Sequence, residues 1–223
     1  MRYGPHADHV VDVREATDAR AVVVVFHGGF WRARYGADLM DELCHDLAAH
    51  GYTAWNVEYR RIGSGGGWPA TFDDVEAATR LAKEAGLPLV TLGHSAGGHL
   101  AVWAGARCGA TLAVSQAGVL DLEDAWRRGL SSRAAGELLG GSPDDVPERY
   151  AAASPAAQLP LGVRQLLVHG RRDDTVPVEM SRAYAVRARE AGDEVELVET
   201  DEGHFECLDP GSASWAAIVE RLP

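Results

Sequence analysis

Cysteine is scarce in this chain: Cys44, Cys108 and Cys207 stand far apart and never form a Cys-x-x-Cys pair. An odd, sparse set excludes a disulfide framework and a zinc site built on paired thiolates. The three read as small buried hydrophobes. Positive charge is also short. Against 33 Asp and Glu there are 21 Lys and Arg, a formal charge of −12. That balance repels phosphate backbones and acidic membranes. The arginines at 127–128 and 171–172 are pairs rather than a basic stripe, so nucleic acid is not expected as a partner. Long apolar runs are missing too. None approaches the ~20 residues of a membrane span, and "MRYGPHADHV" has no apolar core of the secretory kind. No membrane partner and a cytoplasmic location are the expectations. There is no His-Glu-x-x-His and no His/Asp cluster with ligand spacing, so no metal or other cofactor is expected. The glycine-rich "RRIGSGGGWP" (60–69) lacks the Lys-Ser/Thr ending of a phosphate loop and reads as a flexible or close-packed turn.

What is present is an alternation. Short β-branched runs at 10–13, 21–26, 53–59, 87–93, 111–116, 164–170 and 194–200 predict strands, the first of them an edge strand. Helical spacing falls near 37–50, 71–86, 96–107, 178–191 and 211–221, with Gly51 and Gly192 as stop signals. Such alternation predicts an α/β class chain with a mostly parallel central sheet, helices on both faces and right-handed crossovers. Residues 1–223 read as a single domain, without an internal repeat or linker. The segment 118–160 exceeds a simple connection and reads as a cap-like insertion over a site.

The chemistry gathers in four places. Gly93-His94-Ser95-Ala96-Gly97 matches Gly-x-Ser-x-Gly, with a hydrophobic strand before it and an Ala/Leu-rich helix after it. That context lets strand and helix crowd into a tight turn and project the Ser95 hydroxyl from the top of a sheet. A serine needs a base and a group that orients the base. His204, in "DEGHFE" past the last strand, is the best-placed histidine; His169 ends a strand and reads as packing. For the acid, "VHGRRDDTVPVE" favours Asp173, with Asp174 and Asp121 as rivals; Asp121 also reads as a helix cap. Finally, "VVVVFHGGFW" ends a buried strand in His27, two glycines and two aromatics. Gly28 and Gly29 can offer backbone N–H groups beside that of Ala96 to a developing oxyanion. His27, Phe30 and Trp31 then form the expected wall of the substrate pocket.

Taken with "NVEYR", "WPATFDDVEAA", "HGRRDDTVP" and "GHF", these segments resemble an α/β hydrolase of the His-Gly-Gly esterase type, most of all kynurenine formamidase and related bacterial esterases. The resemblance implies a metal-free serine hydrolase acting on a small-molecule acyl substrate. It implies Ser95, Asp173 and His204 as triad and the 27–31 loop as oxyanion hole. Two positions depart from that branch: His9, where glutamine is frequent, and the glycine-rich loop at 62–67. Both bear on the substrate. Esters, amides and thioesters all remain open, as does a homodimer. A non-catalytic binding module of the same fold would lack the serine, the histidine or the oxyanion glycines, and all are here.

Overall fold

The computed structural model describes residues 1–223. Seven strands form one sheet: β1 Val10–Arg14, β2 Val22–Phe26, β3 Thr53–Glu58, β4 Leu89–His94, β5 Leu112–Gln116, β6 Gln165–Gly170 and β7 Val195–Thr200. Their order is β1-β3-β2-β4-β5-β6-β7. Only β1 runs antiparallel, pairing with β3 at the edge; every other neighbouring pair is parallel. The main helices are α1 Asp41–Ala49, α2 Ala70–Lys83, α3 Ala96–Cys108, α7 Val178–Glu190 and α8 Ala213–Val219. Between β5 and β6 lie α4 Leu122–Arg127, α5 Ala134–Leu139 and α6 Pro147–Ala153.

The period of two along β2 sorts its side chains into two cores. Val22, Val24 and Phe26 pack with α2, α3 and the short helices α4–α6, whereas Val23 and Val25 pack with α1 and α8. A strand buried on both faces can therefore carry five apolar residues in a row. The helical spacing near 37–50 resolves into two pieces, a 3-10 turn at Ala37–Met40 and then α1.

The topology places the site. The chain leaves β2 outward to β3 and then crosses back to β4 on the other side of β2. The loops after β2 and β4 consequently diverge from adjacent strands, with Phe26 and Gly93 in register. Crevices of this kind, at the carboxyl ends of strands where the order reverses, are where open α/β sheets hold ligands.

Two glycines permit the crowding there. A Cβ on Gly97 would lie 2.0 Å from the Phe26 carbonyl oxygen and 2.6 Å from that of His27, and one on Gly93 would lie 2.2 Å from the Gly97 oxygen. All are backbone atoms, which cannot swing aside. Gly97→Ala is expected to cost about 3 kcal/mol or more. For a chain of this size that lowers the thermal midpoint by roughly 6–12 °C, measurable by calorimetry; an unchanged midpoint would mean that α3 stands farther from β2 than described.

Candidate active site

Ser95 sits between β4 and α3 with φ 55° and ψ −118°. A non-glycine residue held in the left-handed region costs on the order of 1–3 kcal/mol, and such strain persists where the surroundings over-determine it. Here the Ser95 N–H donates to the Gln116 carbonyl at 2.8 Å, and the two flanking glycines give the turn its room. Because that N–H is engaged, it is not free to meet a substrate oxygen. The N–H of Ala96, first in α3, is one of those a helix leaves free at its start.

The loop after β2 arrives directly beside the serine: a Cβ on Gly28 would fall 3.1 Å from Ser95 Cβ and 2.9 Å from the His94 carbonyl oxygen. Neither Gly28 nor Gly29 donates its amide to another group of the chain. Gly29, Phe30 and Trp31 all have positive φ, at 106°, 50° and 59°. This turn determines what becomes of the expected aromatic wall. Phe30 does line the cleft. Trp31 does not: its indole is buried and donates from Nε1 to His99 Nδ1 at 3.2 Å. His27 is also withdrawn from the cleft. It is fully buried, stacked on Tyr59 at 4.5 Å, with Nδ1 2.8 Å from the Gly28 carbonyl oxygen and Nε2 3.0 Å from Glu58 Oε1. Both ring nitrogens face acceptors, so His27 braces the glycine loop from beneath rather than touching a substrate. Trp31 likewise anchors that loop to α3.

On the other side of the serine, His204 follows β7 and Asp173 follows β6. His204 Nδ1 lies 2.7 Å from Asp173 Oδ2, and both side chains are almost wholly buried. Asp173 is tightly held. Its Oδ1 accepts from the amides of Thr175 (2.9 Å) and Val176 (2.8 Å). Its Oδ2 is also reached by His169 Nε2 at 3.1 Å. Burial alone would raise the carboxyl, but the donors from His169, His204 and Val176 outweigh it and hold Asp173 well below the usual carboxylate range. An ionised Asp173 fixes the proton of His204 on Nδ1 and leaves the Nε2 lone pair for the cleft, which His204 and Ser95 line together. Ser95 makes no side-chain hydrogen bond to His204 here; contacts between a nucleophile and its base frequently tighten only in the Michaelis complex. The rival acids are occupied elsewhere: Asp174 is exposed, and Asp121 caps α4 and pairs with Arg187 at 2.7 Å.

Three residues that sequence reasoning passed over support this set. His169, read as packing, instead ties Asp173 to α7 through Ser181 Oγ at 2.7 Å from its Nδ1. His94, the variable residue of the elbow, donates from Nε2 to the His204 carbonyl at 2.8 Å and so pins the histidine loop to β4. Burial and then the neighbouring His204 push His94 down to about 3, so it stays neutral near pH 7. Glu58, at the end of β3, accepts from His27, the Tyr59 amide, the Ala37 amide and Arg61. A histidine four residues ahead of the acid is a usable signal for His169; Glu58 reaches the site only through sheet pairing and carries no local one.

The cleft itself has a volume of about 240 Å³, with Tyr35, Leu39, Phe30 and Phe205 as its apolar surface. From the 118–160 segment only Ser131 lines it. Larger hollows near Asp121 and Arg187 and at the β1 edge contain no serine–histidine pair.

A strained serine between β4 and α3, on a seven-stranded mostly parallel sheet, defines an α/β-hydrolase fold. The chain is an enzyme, a serine hydrolase, and it belongs to the prolyl oligopeptidase family, whose model matches residues 49–217. Among curated proteins none matches the sequence. Solved structures share the fold. A truncated carbohydrate esterase from gut microbiota superposes with TM-score 0.83 at 20% identity, over 99% of this chain and 92% of that one. An acetyl ester-xyloside bifunctional hydrolase from Caldicellulosiruptor lactoaceticus gives 0.78 at 23%, over 95% and 85%. Butyrate-bound esterase Est2 from Thermogutta terrifontis gives 0.74 at 24%, over 99% and 88%. No helix of the chain is long and apolar enough to cross a membrane.

Proposed function

We propose that the chain is a carboxylesterase that cleaves small acyl esters through an acyl-enzyme on Ser95. The observation that carries this reading is Ser95 opening into a small cleft shared with a histidine whose far nitrogen is fixed by Asp173. Ser95 Oγ attacks the ester carbonyl while His204 Nε2 takes the hydroxyl proton. The negative oxygen of the tetrahedral intermediate meets the amides of Ala96 and of Gly28 or Gly29. The C–O bond to the alcohol then breaks, with the His204 proton passing to the departing alkoxide. Water, deprotonated by the same imidazole, attacks the acyl-serine; the acid leaves and Ser95 regains its proton.

The cleft's lining favours an ester over the formamide reading. N-formylkynurenine carries an ammonium as well as a carboxylate, and no Asp or Glu lines the cleft to receive the ammonium. The three esterases of like fold are in keeping with the proposal.

The test is a panel of 4-nitrophenyl acetate, butyrate and octanoate, with N-formylkynurenine and a prolyl 4-nitroanilide, ranked by kcat/KM. The acetate or butyrate is expected to exceed octanoate and both amides by at least about tenfold, on the order of what a few misfitted methylenes cost. A ranking headed by N-formylkynurenine or by the anilide would replace the ester reading with an amidase.

A further inference from the structure

Only one lining side chain of the cleft, Arg34, has a permanent charge. The arginines at 32, 127 and 128 are each held by a carboxylate. Arg32 pairs with Glu137 at 2.8 Å and holds Ser131, Arg127 pairs with Glu123, and Arg128 pairs with Asp124 at 2.7 Å. Arg34 has no carboxylate partner. It bonds only the Tyr35 hydroxyl, and its guanidinium carbon lies 4.6 Å over the centre of the Tyr35 ring. Stacking of this kind fixes a guanidinium in orientation while leaving most of its donors unused. Tyr35 is itself wedged against the glycine loop: a Cβ on Gly29 would lie 2.4 Å from Tyr35 Cδ2. The ring thus spaces the guanidinium from the amides at the serine. Arg34 is thus an exposed cation lining this cleft without an ion-pair partner, in a protein whose formal net charge is −12.

We infer that the cleft takes esters bearing a carboxylate, which Arg34 receives as a two-pronged partner while the ester carbonyl lies at Ser95. The inference rests on the esterase reading above. A planar guanidinium presents two parallel N–H groups that match a carboxylate, and a charge-assisted pair of this geometry is stronger than a neutral one. The hydroxyls of Ser131 and Thr175, also in the lining, can hydrogen-bond the rest of such a substrate. The carboxylate can belong to the acyl part or to the leaving group.

Two matched pairs separate those sources: mono-4-nitrophenyl glutarate against 4-nitrophenyl valerate, and 4-acetoxybenzoate against 4-methylphenyl acetate. Each kcat/KM is divided by the second-order rate constant of the same ester with hydroxide, taken where the rate is proportional to hydroxide, so that attack by the glutarate's own carboxylate is left out. In the wild type at least one pair is expected to favour the anion by about tenfold or more, and the pair that does so identifies the side. Arg34→Gln should remove that preference, Arg34→Lys should keep part of it, and Arg127→Gln should leave it intact. Raising salt from 0.05 to 0.5 M should shrink it, since an exposed pair is screened. Absence of a preference in both pairs, or its survival in Arg34→Gln, overturns the proposal. The parallel Ser95→Ala measurement keeps two failures apart: a silent variant with no anion preference removes only the Arg34 inference, whereas an active variant removes the esterase reading itself.

Discussion

Ser95→Ala is expected to lower hydrolysis of 4-nitrophenyl acetate by about 10⁵- to 10⁶-fold, the loss seen when a nucleophile is removed from a group that acts as a unit. What remains should be the smaller acceleration due to binding and the free amides of the glycine loop. Stability should hardly move. The strained φ of 55° is imposed by the turn and burdens alanine as it does serine, and the backbone bond to Gln116 is kept. The hydroxyl donates no hydrogen bond that the fold would miss. Activity and thermal midpoint, measured on the same preparation, therefore separate a chemical role from a structural one. Loss of activity with an unchanged midpoint is the expected pair. A variant within tenfold of the wild type would mean that another group performs the attack.

Much of this arrangement can be read along the chain, because the features concerned are local. Valines in series at 22–25 require burial on both faces, and β2 duly lies inside the sheet with a helical layer on each side. The glycines around Ser95 announce a close approach that Gly97 and the Phe26 carbonyl make literal. Other features depend on partners remote in sequence. The ring of His27 turns inward because Tyr59, just past the neighbouring strand, and Glu58, its last residue, give it a stacking face and an acceptor. Trp31 turns inward because three consecutive positive φ values, at Gly29, Phe30 and Trp31, redirect the chain toward His99. Neither reversal is encoded in "HGGFW" itself. The same stretch explains the family outcome. The feature most specific to the formamidase branch lies in residues 27–31, outside the stretch 49–217 that matches the prolyl oligopeptidase family. A short loop motif says how an oxyanion can be met; the longer frame says which family carries it.

The second large effect falls on Asp173. Asp173→Asn is expected to reduce kcat by about 10⁴, a loss of the size that follows when the histidine is left in the wrong tautomer. The carboxylate accepts on every side, from the Thr175 and Val176 amides at Oδ1 and from His169 and His204 at Oδ2. A carboxamide has one oxygen for those four donors. If its oxygen faces the backbone, its NH₂ confronts two imidazole N–H groups, and His204 can relieve the clash only by moving its proton to Nε2. That proton would occupy the position that must accept the serine proton. If the amide flips, the NH₂ opposes two backbone N–H groups instead, at a cost of about 1–3 kcal/mol for each donor left unpaired in a buried place. Stability then reports alongside rate. Asp173 is held below its ordinary range in the folded state, so its stabilising contribution is fully present above the unfolded value near 3.9 and is lost as pH falls below it. The wild type should lose thermal midpoint on acidification from about pH 4 downward more steeply than Asp173→Asn does, because the variant has no such proton to take up. Parallel acid limbs in the two proteins, with activity retained in the variant, would show that the carboxylate neither orients His204 nor ties β6 to the histidine loop.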